Sequence, residues 1–297
     1  MIVSSLPSYA MAKPYGPVRK AENAPLSGFA APPQSPTRLQ SFDLGTPVGK
    51  LHVWKHPAIS MNPIHPLSSG KPMMLLIHGW GGRAENMGSL VEKLAPSFPD
   101  WSFVAITLPE ISESTGHGPP PHHFSQQSVA QVRNTIDFLS SQAGQPQLYV
   151  LGYSLGAPIT VHALAQLQPQ ARQNQPKLLL LSPALDFSPS LNQTLSEQDR
   201  RQWAADSPEW LRWSHDAQLR PYMRESVNLL RRGLNRIDRC LFVSPNDTAV
   251  SLPAIRQSLR QNSEMQVIAS GSHESIDNPE LVQQVVNWLN IQESNRV

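Results

Sequence analysis

Cysteine is nearly absent: Cys240 is the only one in 297 residues. A disulfide framework and a multi-cysteine metal site are thereby excluded, and a reducing compartment suits the chain. Charge is also scarce. Only 15% of residues are charged, and 24 basic side chains against 22 acidic ones leave a formal net charge of +2. That balance is too weak to draw a polyanion, so no nucleic acid is expected as a partner. No apolar run approaches the ~18 residues of a membrane helix, so no membrane span is expected. The first residues carry no basic stretch ahead of an apolar one, and Pro7 and Pro14 interrupt them. A secretory signal is therefore not expected, and the expected location is cytoplasmic. No internal repeat is present, and nothing in the sequence specifies an oligomeric state.

Proline, by contrast, is abundant at 29 residues, and seven of these fall in the first 38. Residues 1–38 read as an extended, weakly structured arm. Residues 39–297 read as the folded domain, and an apolar share of 39% supplies its core. Two alternating segments, 39–44 and 50–55, flank a turn-rich break at Gly45-Thr-Pro-Val-Gly49 and predict an antiparallel strand pair. Short apolar runs follow at 73–77, 103–106, 148–151, 178–181, 240–243 and, interrupted by Gln266, 265–268. Such runs suit strands buried on both faces of a parallel sheet. Between them, 84–94, 125–139, 155–167, 253–259 and 279–289 have helical spacing. Alternation of the two predicts an α/β fold with helices on both faces of a mostly parallel sheet. One stretch, 188–236, breaks the alternation. It carries Trp203, Trp210 and Trp213 and reads as a helical insertion over the strands' C-terminal ends, where open α/β sheets bind ligands. Trp210 and Trp213 are the candidate substrate-binding residues.

Gly152-Tyr-Ser-Leu-Gly156 follows a buried-strand pattern and precedes a helix pattern. That context makes G-x-S-x-G a nucleophile elbow, with Ser154 exposed at the strand's end. A serine hydroxyl needs a base. Of ten histidines, His273 lies just past the last strand and can reach back over the sheet. The base needs a carboxylate to fix its tautomer; Asp247, after the strand at 240–243, is preferred, with Asp186 as its rival. The order Ser154, Asp247, His273 is the order of α/β-hydrolases. His78-Gly-Trp-Gly-Gly82 follows the strand at 73–77. Its Trp80 N–H and the Leu155 N–H are the candidate oxyanion-hole donors, and His78 is expected to prop that loop. His117, His122 and His123 have no carboxylate or cysteine beside them, so no metal or other cofactor is expected.

Taken together, the His78 loop, the Ser154 elbow, the Asp247 loop and the His273 loop resemble the α/β-hydrolase superfamily over roughly residues 39–292. The resemblance implies the α/β-hydrolase fold with a helical lid at 188–236. It also implies a serine hydrolase acting on carboxylic esters through an acyl-enzyme, with a small-molecule ester as substrate. The same triad serves thioesterases, amidases, peptidases and acyltransferases, and a hydrolase scaffold can also serve as a ligand-binding module. Serine at the elbow sets the chain apart from the dehalogenases and epoxide hydrolases of the superfamily, which carry aspartate there. The segment Thr107-Leu-Pro-Glu-Ile departs from the Asp-x-Pro-Gly turn many members carry.

Overall fold

The computed structural model describes residues 39–56, 67, 70–79, 81–108, 124–142, 144, 146–167, 175–185, 219–234, 238–244, 247, 255, 265–267, 273 and 276–295. The chain divides into Met1–Pro36 and Thr37–Val297, and every described residue belongs to the second unit. The arm expected over 1–38 lies outside the described residues.

Eight strands form one sheet: β1 (Gln40–Thr46), β2 (Gly49–Lys55), β3 (Met73–Ile77), β4 (Ser102–Ile106), β5 (Leu148–Tyr153), β6 (Lys177–Leu181), β7 (Arg239–Val243) and β8 (Met265–Val267). Their order across the sheet is β1-β2-β4-β3-β5-β6-β7-β8. The β1–β2 hairpin pairs antiparallel and joins β4 antiparallel; every later pairing is parallel. The strand pattern explains this arrangement. All five residues of β3 and of β4 are buried, as covering both faces requires, whereas the edge strand β1 alternates exposed and half-buried positions.

Side chains that alternate along the strands feed two separate cores. On one face Leu75, Val104, Val150, Leu180 and Leu241 meet α2 (Phe124–Ser140), α3 (Gly156–Ala165) and α4 (Leu219–Asn228). On the other, Leu76, Phe103, Leu151, Leu179 and Phe242 meet α1 (Gly88–Leu94) and α5 (Pro279–Ser294). Val129, Val132, Ile136 and Leu139 give α2 its apolar stripe; Leu281, Val282, Val285 and Leu289 do the same for α5. Asn278 caps α5 by accepting from the Glu280 and Leu281 amides, and Pro279 occupies the first turn, where its missing N–H costs nothing.

Two expectations are refined. The helical segment 84–94 begins as a 3₁₀ turn, Ala84–Met87, and becomes α-helical only from Gly88. The Arg83 amide donates to the Asn86 side chain at 2.6 Å, which favours the tighter first turn. The end of the expected insertion, 219–234, takes its place in the helix layer. Met223, Val227, Leu230 and Leu234 are buried in the same core as α3, and the Tyr222 ring stacks on His162 of α3 at 4.0 Å. A π-helical turn, Leu229–Gly233, closes α4. Residues 188–218, 235 and 236, the rest of the insertion, lie outside the described residues, as does all of 253–259 except the buried Ile255. Among the described residues no helix is long and apolar enough to cross a membrane.

Candidate active site

The C-terminal end of β5 turns sharply into α3. Ser154 sits in the turn with φ 51°, a left-handed backbone that non-glycine residues rarely adopt. Two glycines make the turn possible. A Cβ on Gly152 would stand 2.7 Å from Ala157 Cα, and one on Gly156 would overlap the backbone oxygens of Ile77 and His78. The serine's backbone is held from both sides. Its N–H donates to Leu181 O at 3.0 Å, while its carbonyl accepts from Ala157 N–H and Ala184 N–H, both at 3.1 Å. The donor Ala184 follows a second strained residue, Ser182, with φ 40°. The ends of β5 and β6 therefore lock the elbow together.

Ser154, expected to stand exposed, is instead only 8% exposed, because the tight turn seats it among the segments that carry His273 and Gly79. Its Oγ lies 2.8 Å from His273 Nε2. His273 Nδ1 lies 2.9 and 3.0 Å from the two carboxylate oxygens of Asp247. A carboxylate only accepts, so Nδ1 carries the proton, and Nε2 is left to accept from the serine hydroxyl. Asp247 comes from the turn after β7, where its amide donates to Ser244 O at 3.2 Å. Its side chain is fully buried, whereas that of His273 is 16% exposed. A buried carboxylate without a partner would be costly; here the imidazole is that partner. The structure brings together Ser154, His273 and Asp247, three residues expected on separate loops, while Asp186 lies outside the described residues.

Beside them lies the loop after β3. Gly79 packs on the elbow so closely that a Cβ there would meet the Tyr153 ring at 3.2 Å. His78 is buried and bridges two segments: Leu108 N–H donates to its Nε2 at 2.9 Å, and its Nδ1 lies 2.7 Å from Gly79 O. An accepting Nε2 puts the proton on Nδ1, which then donates to the Gly79 carbonyl. Burial holds this imidazole below its usual pKa, against the opposing pull of the Gly79 carbonyl. His78 thus stays neutral and props the loop. Leu155 is the cap residue of α3, so its N–H has no partner within the helix. The other candidate donor, Trp80, and the candidate substrate residues Trp210 and Trp213 lie outside the described residues.

One residue not singled out from the sequence joins the site. Tyr153 Oη donates to the His273 carbonyl at 2.7 Å. The motif gave no signal for it, because the position before the serine is unconstrained in G-x-S-x-G. Away from the site, Asp43, His52 and Glu85 bring ligand-type atoms within 4.8 Å of one another. The Asp43 carboxylate there already holds Lys50 at 2.6 Å and His52 at 2.7 Å, so a cation would have to displace an ammonium.

Solved structures repeat the architecture. The esterase Pf2001 of Pyrococcus furiosus is 16% identical, with 86% of this chain and 92% of that chain covered and a TM-score of 0.55. Est1E from Butyrivibrio proteoclasticus is 15% identical, with 86% and 99% covered and a TM-score of 0.54. The naproxen esterase (carboxylesterase NP) of Bacillus subtilis is 14% identical, with 86% and 92% covered and a TM-score of 0.50. At such identities these likenesses speak to the fold. No curated protein sequence matches the chain. The model of the alpha/beta hydrolase family does match, over residues 74–285, which run from β3 through the elbow and the Asp247 and His273 positions into α5. With that match added to the strand order and the elbow, the chain belongs to the alpha/beta hydrolase family.

Proposed function

We propose that this protein is a serine hydrolase that cleaves small carboxylic esters through an acyl-enzyme on Ser154. The observation that carries the reading is the hydrogen-bonded row from Ser154 Oγ through His273 to the buried Asp247. In the first half-reaction Nε2 takes the hydroxyl proton as Oγ bonds to the ester carbonyl carbon. The carbonyl oxygen becomes an oxyanion, received by the amides of Leu155 and Trp80. His273 then returns the proton to the departing alkoxide, which leaves as the alcohol. In the second half a water loses its proton to Nε2, its oxygen attacks the acyl carbon, and Ser154 recovers its proton as the acid is released. Asp247 keeps the imidazole in the useful tautomer and balances its positive charge while it carries the second proton.

The helix N-terminus at Ser154 favours the developing negative charge. Trp210 and Trp213 of the 188–236 insertion provide the apolar wall that selects the acyl or alcohol part. Residues 1–38 are the arm, 39–297 the catalytic domain, and the protein works in the cytoplasm without a metal or other cofactor.

The test is covalent. A fluorophosphonate should add one phosphonyl group to Ser154, found by mass spectrometry of the digested protein, and p-nitrophenyl esters should turn over. Absence of both would remove the enzymatic reading in favour of a ligand-binding role. Turnover of thioesters or amides above that of esters would reassign the substrate class.

A further inference from the structure

We infer that Tyr153 is a positioning residue for His273, holding the base in place while the serine is acylated; this rests on the Ser154 acyl-enzyme proposed above. Tyr153 ends β5 and pairs there with Leu181 of β6, so its backbone is part of the sheet. Its hydroxyl donates to the His273 carbonyl at 2.7 Å, across 120 residues of chain. Its ring lies 5.6 Å from the imidazole, tilted by 32°. The ring also packs against the core beneath α1 and α5, together with Ile276, which follows His273 in the chain. One half-buried side chain thus ties the histidine's segment to the strand that carries the nucleophile.

The chemistry gives this tie a purpose. In the resting enzyme the imidazole is held at both nitrogens, by Ser154 at 2.8 Å and by Asp247 at 2.9 Å. The serine bond is not permanent. Once Oγ carries an acyl group it has no proton to donate, and Nε2 must instead meet an incoming water. During that interval the imidazole has lost one of its two holds. The Tyr153 bond is to a backbone oxygen that takes no part in proton transfer, so it persists through the whole cycle. Its contribution is therefore greatest in deacylation and smallest in acylation.

The experiment compares wild type, Tyr153→Phe and a variant with 4-aminophenylalanine at position 153, which restores a donor on the same ring. Fluorophosphonate labelling of wild type comes first: no adduct on Ser154 would defeat the parent reading, and the positioning role would fall with it. Stopped-flow hydrolysis of p-nitrophenyl acetate then separates the burst of p-nitrophenolate (acylation) from the steady state. Tyr153→Phe should lower the steady-state rate by about 2- to 12-fold, the range a lost neutral hydrogen bond gives. The burst rate should change less, KM should fall along with kcat, and Tm should stay within a few degrees. The amino variant should recover the steady-state rate. An unchanged steady state, an equal fall in burst and steady state, a collapse in Tm, or no recovery with the amino variant would each overturn the positioning role.

Discussion

A Cβ on Gly79 would stand 2.9 Å from the Cβ of Ser154. The loop after β3 therefore presents bare backbone to the Ser154 and Tyr153 side chains, with no side chain of its own between them. Gly79→Ala should push the loop off the elbow. A displacement of about 1 Å costs on the order of 10²-fold in rate, while overpacking costs about 1–3 kcal/mol of stability. Ester turnover measured beside Tm separates the two; full activity would show that the loop takes no part in the reaction.

Ser154→Ala should lower kcat by up to about 10⁶, as loss of a serine nucleophile does. Alanine keeps the Cβ and makes no new contact, so Tm should hold. Turnover of p-nitrophenyl acetate at the wild-type rate would exclude Ser154 as the nucleophile.

Asp247→Asn keeps the shape but offers His273 Nδ1 a donor as well as an acceptor. The wrong tautomer becomes available, and kcat should fall by roughly 10⁴. A loss below tenfold would return the role to Asp186.

Acid should loosen the fold through two histidines. Burial lowers the pKa of both His78 and His162 from the ordinary 6.5, with carbonyl partners opposing it. The unfolded chain then binds protons that the folded chain refuses. Stability is therefore complete above about pH 6.5 and declines as pH falls towards the folded-state values. Tm recorded from pH 7 to 5 should drop, and His162→Gln should make the slope shallower. An unchanged slope would remove His162 from the account.

Asp137 sits in the last turn of α2, where the helix dipole disfavours an anion. Its Oδ1 is buried with no hydrogen-bond partner among the described residues, and desolvation raises its pKa although Arg133 pulls the other way. Asp137→Asn removes the charge and should stabilise the protein by about 0.5–1 kcal/mol. Chemical denaturation at pH 7 would check the sign.

The parallel strands β3 to β7 were legible because nearly all their residues are buried and read as apolar runs, and 73–77 matches β3 to the residue; the edge strand β8 departs from this, with Gln266 at its centre and Val267 37% exposed. Their lateral order was not, since Leu75 or Val150 looks the same whichever neighbour it pairs with. The 3₁₀ start at 84–87 depended on one Arg83–Asn86 contact that periodicity does not register. Ser154 was legible through its flanking glycines, which answer to local crowding. Choosing between Asp186 and Asp247 was harder: both follow strand ends, and only the spatial order of strands decides which one faces His273. Tyr153 stayed hidden because its partner is a main-chain oxygen, which no side-chain pattern reveals. Trp80, Trp210 and Trp213 fall outside the described residues.

Ser154 and His273 are 119 residues apart in the chain. Between them β6, β7 and β8 are laid down side by side in chain order, each resting on the one before. No stretch of chain that stops short of β8 can unite a hydroxyl with its proton acceptor. On the mechanism proposed above, turnover is a tally of finished molecules: a chain with half a sheet contributes nothing to it, and the size of a single-turnover burst counts the copies that have reached the end of assembly.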